Sequence, residues 1–249
     1  MFRRIFSIIL PPLMLFLSSG CQENNKPTIP ITSNTSLPAI PTATSTPLIE
    51  QFTILVPQGK PHLIDGTISP GEWDNAIIES FSDGSELLLM YSEGYLYVGV
   101  RANTSDMIVG NIFINHGDEI VILHASAALG TAIYRKETDQ WQLTQSFDWC
   151  CRNTSNNEAG QDERNAFLQE ERWVGTNSRI GTPNELEYQI ELTGESLRMA
   201  VNYIKVSEPN VKIPWPNDLD DDCIKPTPGG LPERLKFSPD EWAKIDIQP

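Results

Sequence analysis

The chain is short of positive charge. Its 249 residues carry 18 Lys and Arg against 33 Asp and Glu, a formal net charge of −15. Nucleic acids and anionic lipid surfaces are held by clusters of basic side chains, so a chain this acidic argues against either as a partner. Histidine is scarce, at three residues, and cysteine stands at four. No Walker loop, no dinucleotide glycine fingerprint and no long internal repeat occurs, which leaves nucleotide-binding folds and solenoids without their signatures. No motif orders a Ser, a His and an Asp into a triad. The acids include no pair singled out for glycoside hydrolysis, which needs two facing carboxylates. Catalysis therefore has no foothold in the sequence, and the protein is read as a non-enzyme.

What is present begins with an export signal. Arg3 and Arg4 precede an apolar run from Ile5 to Leu17, and Ser18-Ser19-Gly20-Cys21 follows. A basic start, a short apolar stretch and small residues before a cleavage point make residues 1–20 a secretory signal. The run is too short to span a bilayer, and Pro11-Pro12 interrupts it. Cys21 after small residues resembles the lipobox of bacterial lipoproteins, although Leu17 lies four residues before Cys21 rather than three. Lipidation of Cys21 is the expectation, with the protein anchored in a bacterial cell envelope and facing the periplasm or the exterior. Loss of residues 1–20 takes the formal charge from −15 to −17. Residues 22–50 are rich in Pro, Thr, Ser and Asn. Such a segment buries too little surface to offset its ordering entropy, so 21–50 reads as a lipidated tether.

Residues 51–249 suffice for one domain with a sizeable core. Their organising stretch runs from Leu63 to Arg101. Asp65-Gly66 is a turn signal. Ser69 with Glu72 three residues on is a capping box, and Pro70 occupies the first helical position, predicting a short helical turn that drives Trp73 inward. Leu87–Tyr91 and Tyr95–Val100 read as a hairpin across Glu93-Gly94. Further hairpins are predicted from Met107–Asn115 with Glu119–His124, turning at His116-Gly117-Asp118, and from Leu129–Arg135 with Trp141–Phe147. Leu186–Leu192 and Arg198–Val206 read as strands. A short helix is predicted within Glu158–Arg172, and an acidic, Pro-rich loop over 209–232. Ser238-Pro239-Asp240-Glu241-Trp242 repeats the Ser-Pro-x-Glu-Trp device, so Trp73 and Trp242 both read as core plugs. The predicted fold class is all-β: an antiparallel β-sandwich, jelly-roll or immunoglobulin-like, with short helical turns.

Ile64-Asp65-Gly66, Glu72-Trp73 with Ala76, Tyr95-Leu96-Tyr97-Val98 and Leu186–Leu192 together resemble the carbohydrate-binding module family 9-like, or DOMON-like, β-sandwich domains. The resemblance covers roughly residues 60–206. It implies a non-catalytic, monomeric module that holds a polysaccharide or other glycan. Two other classes stay open: a haem-binding redox domain and a structural or protein-interaction domain of the envelope.

Sugars stack their apolar faces on exposed aromatic rings while nearby polar groups take the hydroxyls. Trp149, Trp173 and Trp215 fall in or beside expected loops and are the better platform candidates; Trp141 is the fourth. Asp218, Asp220 and Asp222 alternate in a way that can converge on a hard cation such as Ca²⁺, and the resemblance strengthens a structural calcium there. Haem is the weaker expectation, resting on Met90, Met107, His116 and His124. In an exported protein one disulfide is expected among Cys150, Cys151 and Cys223. The adjacent pair is poorly placed to bridge itself. Cys223 is thus expected to join Cys150 or Cys151, with Cys151–Cys223 the pairing carried forward.

Overall fold

A computed structural model of the protein describes residues 52–247, except 154, 218 and 220–229. The export signal, Cys21 and the tether lie outside the described residues, as do Asp218, Asp220, Asp222 and Cys223. No described helix is long and apolar enough to cross a membrane.

Besides one 3-10 turn near the C-terminus, the described elements are fourteen strands and one α-helix: β1 (Thr53–Val56), β2 (Ile77–Ser80), β3 (Glu86–Ser92), β4 (Tyr95–Arg101), β5 (Ile108–Asn115), β6 (Glu119–Ala125), β7 (Leu129–Glu137), β8 (Gln140–Gln145), α1 (Glu158–Glu171), β9 (Trp173–Gly175), β10 (Glu185–Glu191), β11 (Ser196–Lys205), β12 (Lys212–Trp215), β13 (Arg234–Leu235) and β14 (Ala243–Ile247). They form two sheets. One runs β1-β14-β11-β5-β6-β7-β8-β13, with β12 also paired to β11; the other runs β2-β3-β4-β10-β9. Pairing is antiparallel except between β1 and β14. The β-sandwich expected from the sequence is the fold found.

All three predicted hairpins form; β3–β4 and β5–β6 pair in continuous register, and β7–β8 shifts register between Ile133 and Tyr134. The residues at their turns explain why: Glu93, Thr138, Gly94 and Gly117 all have positive φ, which tight two-strand connections require. The predicted short helix is α1, capped by the Asn157 side chain accepting from the Gly160 N–H. At Ser69–Trp73 the chain makes turns rather than a helix. Half of the capping box survives there, as the Ser69 N–H donates to Glu72 Oε2 at 3.2 Å, and Trp73 is buried. At the second box Pro239–Glu241 forms one 3-10 turn and Trp242 is fully buried.

The larger sheet is covered on both faces. Ile112, Ile114 and Leu123 face the main core between the sheets, while Phe113, Ile120 and Ile122 join a second cluster with Tyr134, Trp141, Leu219, Phe237 and Trp242. Alternate residues of a strand point to opposite faces, so β5 and β6 are nearly continuous apolar runs because both faces find cover. The C-terminal segment supplies the outer cover.

Segment 62–73 is tied to the smaller sheet by a buried acid. Glu187, on β10 and 0% exposed, accepts from the N–H groups of Asp65 (3.1 Å) and Gly66 (2.8 Å) and from the Trp73 indole (3.1 Å). Two residues before it, Glu185 accepts from the Ile68 N–H and from Arg101. Hydrogen bonds to an ionised acceptor are the stronger kind, and removing one partner of a buried set strands the others. Glu187→Ala is therefore expected to cost about 3 kcal/mol, read as a lowered urea midpoint. An unchanged midpoint would strip Glu187 of this role.

Candidate functional site

The four candidate tryptophans separate by burial. Trp173 is 1% exposed, Trp215 2% and Trp141 4%, whereas Trp149 is 40% exposed. Trp173 and Trp215, expected in or beside loops, lie in β9 and β12 and are core residues. Trp173 packs against Phe167 and Tyr188 and donates its indole N–H to Thr131 Oγ1 at 2.9 Å. Trp141 donates to the Phe237 carbonyl under the C-terminal cover. Rings with both faces packed and the N–H satisfied internally offer a sugar nothing, which corrects the expectation for these three. Trp149 remains.

Trp149 stands over the outer face of the larger sheet. Its ring centroid lies 4.7 Å from that of Phe147 and 5.3 Å from that of His124, edge-on to the latter. The seat beneath is Gly130 on β7: a Cβ there would come within 3.0 Å of Trp149 and 3.1 Å of Phe147. Only a residue without a side chain lets the pair lie this low. The backbone holds them in place too, since Leu129 and Cys150 exchange both N–H···O bonds, at 2.9 and 3.0 Å.

From Gly130 a row of residues crosses four strands. Gly130 opposes His124, His124 opposes Asn111, and Asn111 opposes Asn202. The Asn111 amide nitrogen donates to Asn202 Oδ1 at 2.7 Å, so its oxygen is the atom that meets His124 Nδ1 at 2.6 Å. Nδ1 must therefore carry the proton, and Nε2 is left as an acceptor. Burial, with help from the nearby Lys212 ammonium, pulls the His124 pKa from 6.5 to about 4, so the ring is neutral at pH 7. Around this row lies a cavity of about 220 Å³ bounded by Trp149, Phe147, His124, Lys212, Leu231 and Phe237. It combines a half-exposed aromatic ring, a fixed imidazole acceptor and an ammonium donor.

A larger groove, about 360 Å³, opens near Trp173 and Ile190, but its charged pair Arg172 and Glu191 is spent on itself at 2.9 Å. Of the haem candidates, Met90 and His124 belong to different sheets. Met90 packs against Gly59 from the smaller sheet, while His124 sits in the larger one with Nδ1 engaged. His116 begins the β5–β6 turn.

The expected Cys151–Cys223 bridge is also corrected. Cys150 and Cys151 are joined sulfur to sulfur, with Cα atoms 3.8 Å apart, which uses both partners proposed for Cys223. Adjacent residues can close this small ring because Cys151 adopts φ +57°, a backbone state that sequence spacing does not announce.

Sequence reasoning weighed His124 only as a haem ligand and missed Asn111, Asn202, Gly130 and Lys212. A signal existed: Asn111 and Asn202 are lone amides inside apolar strands whose neighbours fill both cores.

Ionisation of His124 gives the site a pH signature. A histidine whose folded pKa lies below its unfolded value contributes fully above pH ~6.5, and that contribution drains away as pH falls through about 4. Stability is expected to drop by up to about 3 kcal/mol over this window. In thermal melts between pH 4 and 7, His124→Gln should flatten that part of the profile. A profile of unchanged slope would place the acid sensitivity elsewhere.

No family model matches this chain, and no curated protein matches it. Among solved structures it is similar to one from Bacteroides uniformis described as a "putative carbohydrate-binding protein", at 10% identity and a TM-score of 0.40, over 79% of this chain and 99% of that one.

Proposed function

We propose that the protein binds a neutral glycan without transforming it, at the outer face of the larger sheet beside Trp149. The observation that carries this reading is the exposed Trp149 ring set over a fixed polar row. A pyranose has an apolar C–H face and a rim of hydroxyls, and the site answers both. Trp149 and Phe147 receive the face, His124 Nε2 accepts from one hydroxyl, and Lys212 donates to another. No charge need be neutralised for the ligand to enter. The reading places the protein in the envelope, anchored through lipidated Cys21 with its domain held outward on the 22–50 tether, as a monomer. Asp218, Asp220 and Asp222, which lie outside the described residues, remain the proposed calcium ligands.

A glycan array probed with the purified protein tests this, once with calcium and once with EDTA. Trp149→Ala is expected to weaken any hit at least about tenfold, the scale of one lost aromatic anchor, without changing the melting temperature of the domain. Trp173→Ala should instead lower that temperature. A folded protein that leaves the array blank, or binding that survives Trp149→Ala, would overturn the assignment. Loss of the hit in EDTA alone would support the aspartates.

A further inference from the structure

Trp149 also walls a second cleft, of about 520 Å³, whose other sides include Cys150, Cys151, Glu163, Phe167 and Glu170. Glu163 lies on the N-terminal half of α1. Both cysteine sulfurs and a Glu163 carboxylate oxygen lie within 4.8 Å of one another. Three such atoms, two of them soft, are a chelating set that the glycan reading does not use.

We propose that Cys150, Cys151 and Glu163 form a redox-gated site for a thiophilic divalent cation of the zinc or cadmium kind. In the disulfide the sulfurs are closed to metal. Reduction opens the site: two molecules of an external thiol give up their hydrogens and become one external disulfide, while the Cys150–Cys151 bond breaks to give two thiols. Cation binding then displaces both thiol protons to solvent, as thiolate ligation requires. Two thiolates and a carboxylate set three negative charges against a dication, and the open cleft leaves the fourth tetrahedral position to water.

Contacts other than the sulfur–sulfur bond also hold the set in place. Cys150 is fixed to Leu129 through both backbone hydrogen bonds. Cys151 is buried, with its sulfur 3.8 Å from the Glu163 carbonyl oxygen. Adjacent positions in the chain bound how far the two thiols can part. Glu170 and the exposed Asp148 also line the cleft and bias it towards cations rather than anions.

The test uses the full chain carrying Cys21→Ser and Cys223→Ser, so that Cys150 and Cys151 are its only cysteines. The chain is reduced with a phosphine, freed of reductant without air, and titrated with Cd²⁺ while the ultraviolet sulfur-to-metal charge-transfer band is followed. One equivalent should saturate the reduced chain, and the oxidised chain should show no band. Cys150→Ser and Cys151→Ser should each lose most of the absorbance. Glu163→Gln, on the helix surface, should keep the band but raise the cadmium dissociation constant at least about tenfold. Circular dichroism identifies any variant that has failed to fold, and either cysteine variant alone suffices for the comparison. A reduced chain without the band overturns the site, and a titration indifferent to Glu163→Gln overturns the three-donor assignment.

Discussion

The interaction on which the smaller sheet and its cover depend is the buried carboxylate of Glu187. Desolvating a carboxylate costs several kcal/mol unless donors replace the lost water. Here the donors are two successive backbone N–H groups at the Asp65-Gly66 turn and the indole of Trp73. Each partner explains a feature of the sequence. Gly66, at φ +84°, lets the turn present both N–H groups at once, and it lies so close to Gly181 that a Cβ on either would press on the other's backbone. Trp73 needs its one polar atom satisfied to be buried. The Asp-Gly turn, the tryptophan and the acid of β10 are thus one device distributed over more than a hundred residues, with Glu185 and Arg101 repeating the arrangement next to it.

That clasp frees the larger sheet to be used differently. Its outer face is mostly closed by apolar packing around Phe113, Ile122, Phe237 and Trp242. Beside this packing runs a polar row, Asn202-Asn111-His124, where apolar residues would pack with less desolvation. Such a row is tolerated because its members satisfy one another, and the hydrogen-bond sequence leaves one atom, His124 Nε2, directed as an acceptor. An apolar row would serve stability at least as well; the polar one holds a defined imidazole tautomer under an exposed ring. This is the pattern expected where fold and recognition compete for the same residues.

The hairpins were legible because their turns carry their own chemistry: Glu93-Gly94, His116-Gly117-Asp118 and Glu137-Thr138-Asp139 sit between apolar runs. The strands that sequence reading missed are short. Trp173–Gly175 has three residues and Arg234–Leu235 two, too few for alternation to register, and they exist because neighbouring strands offer them partners. The same limit misplaced the tryptophans. Trp173 and Trp215 stand among polar residues in sequence, yet each belongs to such a short strand, and burial comes from chain segments far away. The seat of Trp149 is equally remote from it in sequence, since the ring can lie against the sheet only because Gly130 has no side chain. Cys150 and Cys151 looked too close to pair because spacing alone says nothing about a positive φ. Local patterns therefore reported the architecture well, whereas the site arose from the register between β7, β6, β5 and β11, which no local pattern encodes.

Charge bears on which ligand such a site admits. A formal charge of −15 sets up a field that keeps polyanions at a distance, an effect that salt weakens beyond roughly 10 Å. Within the site the balance is different: His124 is neutral and Lys212 is the nearby cation. An anionic ligand would gain from Lys212 only after crossing the outer field, and it would bring a charge that the neutral imidazole cannot answer. A neutral, hydroxyl-rich ligand crosses the field at no electrostatic cost, and its hydroxyls can both donate to Nε2 and accept from the ammonium. The electrostatics and the aromatic platform therefore favour the same class of ligand, although they arise from different residues.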